Sequence, residues 1–282
     1  VTPAVRALAR KLKVDLSRVI PTGKGGVVTR ADVQAVADDP QAAAPAKAEP
    51  PAPPTQARAP RAPAPPPPQA SGEWEPIRGT RRTMARVMSK AQAEVVHTSL
   101  MDDADLNAWR HGQDVTVRLL RALWAGARVE PGLNAWYDGE KNMRMIHKGM
   151  DVGMAVDTPD GLFAAALRNV HNSTAQEVRD SVNRLKENVM SRSIPPEDLK
   201  DYTIMLSNFG IYAGRYATPI ISPPCVCIVA AGKSRHEVVP VLGGMEAHRI
   251  MPISLTFDHR ACTGGEAARF LKAMLEDLAL PE

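Results

Sequence analysis

Apolar positions recur along this chain with two different periods, and the switches between them outline its elements. Val5, Leu8, Ala9 and Leu12 form one stripe at helical spacing, and Thr2 followed by Pro3 reads as an N-cap with proline at the first helical position. Val14, Leu16, Val19 and Ile20 add a short apolar connection. Gly23-Lys24-Gly25-Gly26 then reads as a tight loop, where glycine can take positive φ. Thr29-Arg30-Ala31-Asp32 predicts a variant capping box that opens a second helix through Val33 and Val36, and the spacing suggests that Asp32 organises the glycine loop. Further on, Met84, Val87, Met88 and Ala91 give a helical face after Thr80, and Val96, Thr98 and Leu100 alternate as in a strand. Val117, Leu120, Leu123 and Trp124 predict a buried helix, and Val178, Val182, Leu185 and Val189 an amphipathic one. Apolar runs at 149–156 and 161–167 are split by the turn signal Asp157-Thr158-Pro159-Asp160-Gly161. Segments 203–207, 224–231 and 250–257 predict further strands. A last helix carries Glu266, Ala267, Ala268, Phe270, Leu271, Met274, Leu275 and Leu278.

Between the two patterned regions the pattern stops. Twelve prolines fall between Pro40 and Pro68, and no Val, Ile, Leu, Met or aromatic residue occurs from Asp38 to Glu73. Such a segment buries too little apolar surface to offset its ordering entropy, which predicts a semi-stiff, disordered Pro/Ala tether. At roughly 3 Å per residue it would span about 100 Å when fully extended. The expected organisation is a small helical unit over 1–37, a linker over 38–73 and one α/β domain over 74–282. Hydrophobic residues make up 44% of the chain but aromatics only 4%, so the core must be mainly aliphatic.

Charge sharpens this division. Residues 1–37 hold seven Lys/Arg against Asp15 and Asp32, which more than accounts for the net charge of +4. Arg6 and Arg10 lie four apart and share a helix face. A basic mini-domain on a tether suits an acidic protein surface or a nucleic acid. The lack of interleaved aromatics and of zinc-finger spacing favours the protein partner. Cys225 and Cys227 are expected on one strand face. With no third and fourth ligand near them they make a poor metal site, and buried thiols in a reducing compartment are the better reading. No apolar run reaches the 18 residues that suggest a membrane-spanning helix. The sequence starts at Val1 rather than Met, directly in a helix cap, as in a processed or truncated product.

The chemistry concentrates near the end, in Ser254-Leu-Thr-Phe-Asp258-His259-Arg260 followed by Ala-Cys-Thr263-Gly-Gly. A β-prone run delivers a histidine to a turn ahead of a helix, the kind of junction where a rigid scaffold presents reactive groups. His259 is therefore a candidate general base. Taken alone, a buried histidine bonded to backbone is the better reading, and it is the other residues that reverse it.

Several segments, in order, resemble the dihydrolipoamide acyltransferases that form the core of 2-oxo acid dehydrogenase complexes. Thr2-Pro-Ala-Val-Arg-Ala-Leu-Ala-Arg10, Val14-Asp-Leu, Thr22-Gly-Lys-Gly-Gly26 and Thr29-Arg-Ala-Asp-Val33 resemble their peripheral-subunit-binding domain. The Pro/Ala tether resembles their interdomain linker. Leu133-Asn-Ala135, Ala155-Val-Asp-Thr-Pro-Asp-Gly-Leu162, Leu206-Ser-Asn-Phe-Gly210 and Asp258-His-Arg260 resemble their catalytic domain. The resemblance implies an α/β, chloramphenicol-acetyltransferase-like catalytic fold behind a small helical binding domain. It implies transfer of an acyl group, acetyl by family frequency, between a lipoyl thiol and coenzyme A. His259 would be the base. Ser207, 52 residues earlier, would stabilise the oxyanion, with Thr263 and Arg260 as supporting residues. The family also implies a homotrimer with His259 and Ser207 donated by adjacent chains, assembled into a larger hollow core. Residues 1–37, with Arg6 and Arg10, would dock dihydrolipoamide dehydrogenase or the 2-oxo acid decarboxylase. The lipoyl group would sit on a domain upstream of Val1 or on another chain, and the setting would be a bacterial cytoplasm rather than a mitochondrial matrix.

Two positions depart from the family pattern. The family usually carries Asp four residues after the histidine, where this chain has Thr263, and some of its binding domains carry arginine where this chain has Val27. Thr263 cannot hold a negative charge, so a non-catalytic scaffold of the same complexes is the first alternative. A branched-chain acyl group and a chloramphenicol-type small-molecule acyltransferase are others, and a nucleic-acid module ranks last.

Overall fold

The computed structural model describes residues 2–23, 25–39 and 72–282, which belong to two units, 1–73 and 74–282. The tether expected over 38–73 lies, from Pro40 to Ser71, outside the described residues, as does Lys24 of the glycine loop.

In the first unit, helix α1 (Pro3–Leu12) and helix α2 (Arg30–Asp38) close on Val5, Ala9, Val19, Val28 and Val33. Thr2 has the extended backbone of an N-cap but makes no side-chain cap bond, so proline and geometry alone start α1. The box at α2 forms in full. Thr29 Oγ1 accepts from the Asp32 N–H, and the Asp32 carboxylate accepts from the Thr29 N–H at 2.7 Å. The same buried carboxylate also accepts from the Thr22 N–H and hydroxyl, tying the glycine loop to the helix start. Those donors, the Thr22 hydroxyl foremost, push its pKa down to about 2. A core this small needs such a polar clasp.

The second unit is built on one mixed sheet, ordered β1-β9-β7-β6-β4-β5. Its strands are β1 (His97–Asp105), β4 (Val152–Thr158), β5 (Gly161–Leu167), β6 (Ile204–Asn208), β7 (Cys227–Ala231) and β9 (Gly244–Asp258). β6 runs parallel to β4 and β7, and the other pairings are antiparallel. Strand β8 (Arg235–Val241) pairs with the first half of β9. A separate ribbon joins β2 (Ala135–Asp138) to β3 (Met143–Ile146).

Helices α4 (Val115–Val129), α5 (Ala175–Met190) and α6 (Gly264–Ala279) cover one sheet face. Their apolar stripes meet Ile204, Leu206, Val229, Leu255 and Phe257 there. The other face carries Met205, Ile228, Tyr202 and Ile221, and helix α3 (Gly79–Glu94) precedes β1. All nine residues of β9 from Ile250 to Asp258 are buried, so its polar members need partners. The Ser254 hydroxyl accepts from the Ala217 N–H at 3.1 Å, and Thr256 bonds the Ser99 hydroxyl at 2.6 Å.

The pattern of apolar positions leaves out the ribbon and β8, and gives β9 only from residue 250. β3 is exposed throughout, and β8 alternates half-buried with exposed residues, so neither presents the apolar run that marks a buried strand. Cys225 and Cys227 do not share a face. The chain bends at Val226 before β7 begins, so Cys225 packs with Tyr202 while Cys227 enters the core beneath the helices.

Candidate active site

His259 stands one residue past the end of β9, in the turn that leads to α6. Its N–H donates to the Val96 carbonyl at 2.9 Å, its ring lies 5.4 Å from that of Phe257, and the residue is exposed. The residues around it are tied down more firmly than the histidine itself. Asp258 is 2% exposed, and its carboxylate accepts from the Arg260 N–H at 3.0 Å and from the guanidinium at 2.6 Å. That hydrogen bond raises the pKa of Arg260 further, and the guanidinium lies 5.0 Å over the Tyr137 ring. The Ala261 and Cys262 N–H groups both donate to the Asp258 carbonyl.

Thr263 is the N-cap of α6. Its hydroxyl accepts from the Glu266 N–H at 3.2 Å, and its own N–H donates to the Glu266 carboxylate at 2.7 Å. The Thr263 N–H foremost, with the Thr263 side chain and the charges of Arg144 and Arg269 adding to it, holds the Glu266 carboxyl below the usual range. Thr263 thus ends the turn as a helix cap, and its hydroxyl is engaged there.

Ser207 lies near the end of β6 on the face of Met205, half-buried, and among the described residues its hydroxyl has no hydrogen-bond partner. The backbone just beyond it is tightly packed. A Cβ on Gly210 would meet the Gly232 carbonyl oxygen at 2.3 Å, and one on Gly232 would meet the Arg215 carbonyl oxygen at 2.1 Å. Any side chain at either position would push the strand end apart, which gives a physical reason for glycine in Leu206-Ser-Asn-Phe-Gly210.

The fold does not bring Ser207 and His259 together within one chain. Ser207 pairs across β7 with Ala230, which faces Ser254 of β9, five residues before His259. At 3.2–3.4 Å per residue, that is about 17 Å along the strands, with two strand spacings added across them. Asn134 of the Leu-Asn-Ala segment is buried and structural, with its amide donating to the His147 and Gly149 carbonyls. In the first unit Arg6 and Arg10 are both exposed beside a groove that also involves Lys13 and Leu16.

Beside the His259 turn, on the face of Asp258, a cavity of about 900 Å³ opens between Val95, Trp136, Met145, Pro224 and Arg260. Asp258, Tyr137 and Arg144 all hold this turn, and the apolar pattern of the chain marks none of them. Asp258 had a signal in its neighbour Arg260, whereas Tyr137 and Arg144 sit on short strands without an apolar period. Burial raises the pKa of all three cysteines, that of Cys262 to about 11, so their thiols stay protonated and none is a nucleophile near neutral pH.

Residues 69–282 match the family of 2-oxoacid dehydrogenases acyltransferase (catalytic domain), and residues 1–34 match the e3 binding domain. A dihydrolipoyllysine-residue acetyltransferase component of the pyruvate dehydrogenase complex from Mycoplasma pneumoniae is 33% identical over 56% of this chain and 40% of its own length. A lipoamide acyltransferase component of the branched-chain alpha-keto acid dehydrogenase complex from Pseudomonas putida is 28% identical over 97% of this chain and 64% of its own length. The chain thus spans less than two thirds of either relative. A solved structure of Azotobacter vinelandii dihydrolipoamide acetyltransferase is 26% identical with a TM-score of 0.70, covering 76% of this chain and 96% of that one. That structure belongs to a study of the role of a serine, a histidine and an asparagine in the enzyme's catalytic mechanism. By the match over 69–282, the chain belongs to the 2-oxoacid dehydrogenase acyltransferase family.

Proposed function

We propose that this chain transfers an acyl group between the thiol of a dihydrolipoyl group and the thiol of coenzyme A, with His259 as base and Ser207 as oxyanion donor. One observation carries the reading. An exposed histidine on a braced turn and a serine on a braced strand end, whose hydroxyl has no hydrogen-bond partner among the described residues, are spaced in sequence as are the serine and histidine studied in the Azotobacter enzyme. The asparagine of that study follows its histidine by the interval that separates Thr263 from His259. An uncharged side chain at that position therefore has a precedent, which favours an enzyme over a scaffold.

The steps follow from the groups. Neutral imidazole at His259 takes the proton of the attacking thiol, because the thiolate is the nucleophile. The thiolate adds to the thioester carbonyl, and the charge that develops on oxygen is met by the Ser207 hydroxyl, worth about 3–4 kcal/mol if it acts like measured oxyanion donors. Collapse breaks the original carbon–sulfur bond, and the departing sulfur takes its proton from the imidazolium. Both sulfurs come with the substrates, so the protein supplies position, base and donor. Because one chain holds base and donor about 17 Å apart along the strands, the complete site lies between chains, and a homotrimer supplies it. Trimers would then build the larger core.

Acetyl is the proposed acyl group, with branched-chain acyl as the alternative that the Pseudomonas relative keeps open. The proposed setting is a bacterial cytoplasm, in keeping with the bacterial relatives, and the lipoyl group is expected on a domain outside this sequence or on another chain. The domain boundaries we propose are 1–37, 38–73 and 74–282. The first unit would dock dihydrolipoamide dehydrogenase or the decarboxylase through Arg6 and Arg10. Changing both to glutamate should abolish that docking and leave transfer to free lipoamide intact, and undiminished co-purification of the partner would refute the assignment. The function itself is tested by presenting coenzyme A with acetyl-, isobutyryl- and succinyl-dihydrolipoamide. Acetyl transfer should be fastest, and no transfer from any donor would leave only the scaffold.

A further inference from the structure

The turn that carries His259 is held from outside by one cross-strand pair of the β2–β3 ribbon. Tyr137 and Arg144 face each other directly in the ribbon register, so both side chains leave the same face. Tyr137 lies under the Arg260 guanidinium, which is itself locked onto Asp258. Arg144 reaches the other limb of the turn. Its Nη1 donates to the Ala261 carbonyl at 2.6 Å and lies 3.4 Å from the Cys262 sulfur. The same guanidinium is 3.8 Å from the carboxylate of Glu266, the residue that closes the cap with Thr263. The Cys262 thiol donates to the Gly132 carbonyl at 3.2 Å, a third tie from the segment just ahead of the ribbon.

Gly132 fits the same purpose. A Cβ there would lie 2.8 Å from the Arg144 Nη1, so only glycine leaves the guanidinium its place. The ribbon also buries little for its own sake. All of β3 is exposed, and a two-stranded ribbon is marginal by itself. It is fastened to the chain next to β7, where the Tyr137 N–H donates to the Pro224 carbonyl and the Val226 N–H to the Ala135 carbonyl. The ribbon is thus anchored at one side and applied to the turn at the other.

We propose that Arg144 is a positioning residue for acyl transfer. It fixes the Ala261 carbonyl and Glu266, and through them the direction in which His259 presents its imidazole. The inference rests on His259 being the base. Misplacing a catalytic group by about 1 Å can cost about 10²-fold in rate, so removing this tie should act on turnover rather than on substrate binding.

The test compares Arg144→Met, Arg144→Lys and Gly132→Ala with wild type and His259→Ala in the coenzyme A acceptor assay, with hydrogen exchange of the turn amides as a second readout. Arg144→Met should lower kcat about tenfold or more, with both KM values within about twofold. Arg144→Lys should recover most of the loss, because an ammonium can still donate to the Ala261 carbonyl. Gly132→Ala should lower kcat in the same sense with the arginine still present, and it decides the matter if Arg144→Met does not fold. Exchange at Ala261 and Cys262 should quicken about tenfold in Arg144→Met, an outcome that needs no activity. A folded Arg144→Met with wild-type kcat, or one with only a raised KM, overturns the positioning role while an inactive His259→Ala keeps the acyl-transfer reading. If His259→Ala matches wild type, the acyl-transfer reading fails by itself, and unchanged exchange in Arg144→Met then also overturns the tie to the turn.

Discussion

The His259 end and the Ser207 end of the catalytic unit are built on opposite plans. Around His259, side chains add to the backbone bonds of the turn: Asp258 holds Arg260, Thr263 and Glu266 close a cap, and Arg144 ties the turn from outside. The histidine itself stays exposed. Around Ser207, backbone does the fixing, through the close approach of Gly210, Gly232 and Arg215, and among the described residues the hydroxyl has no hydrogen-bond partner. The difference suits the two proposed tasks. A base has to be aimed while staying open to an incoming thiol. A donor has to be rigid while keeping its hydrogen bond unspent until charge develops.

Removing the imidazole should break the comparison most severely. His259→Ala is expected to lower turnover by about 10²–10⁴ with little change in assembly, measured as kcat beside the mass of the oligomer. Turnover within a few-fold of wild type would exclude His259 as base. Ser207→Ala should lower kcat by about 10²–10³ while both KM values hold, because a donor to the oxyanion acts only in the transition state. A selective rise in KM would place Ser207 in substrate binding instead.

Acid separates the two ends by their chemistry. Glu266 is held below the usual carboxylate range chiefly by the Thr263 N–H. A lowered folded-state pKa means stability that is fully present above the unfolded value, about 4.3, and lost as pH falls through the folded one. Between pH 5 and pH 3, amide exchange corrected for its intrinsic pH dependence should rise at the start of α6 and change less around Ser207, where backbone packing does not titrate. Equal responses at both ends would show that Glu266 is not what holds the turn. The smallest effect belongs to Thr263. Asp caps helices as well as Thr does, so Thr263→Asp should leave kcat within about twofold, whereas Thr263→Ala should cost about 1 kcal/mol of stability. A wild-type chain with no transfer, rescued by Thr263→Asp, would make the native protein a scaffold.

What could be read in the sequence was set by locality. The capping box at Thr29 and Asp32 is a four-residue rule, and both of its bonds form. The helical stripes of α4, α5 and α6 were legible because each repeats over several turns. Asp258, His259 and Arg260 were legible as a motif, and the engagement of Asp258 with Arg260 became visible only with the burial of Asp258. The ribbon escaped because four exposed residues at β3 carry no burial signal, so the reach of Arg144 into a turn more than a hundred residues away had no trace in local pattern. The separation of Ser207 from His259 depends on strand register across β6, β7 and β9, which is a tertiary property.

That separation gives the most direct test of the central claim, that the site is shared between chains. His259→Ala and Ser207→Ala chains should be co-expressed in equal amounts and the mixed oligomers assayed for acetyl transfer to coenzyme A. With the base from one chain and the donor from its neighbour in a symmetric ring, about a quarter of the sites regain both groups, so activity should return to about a quarter of wild type although each variant alone is nearly inactive. Mixed oligomers that form but stay as inactive as the single variants would contradict a shared site and place both groups in one chain.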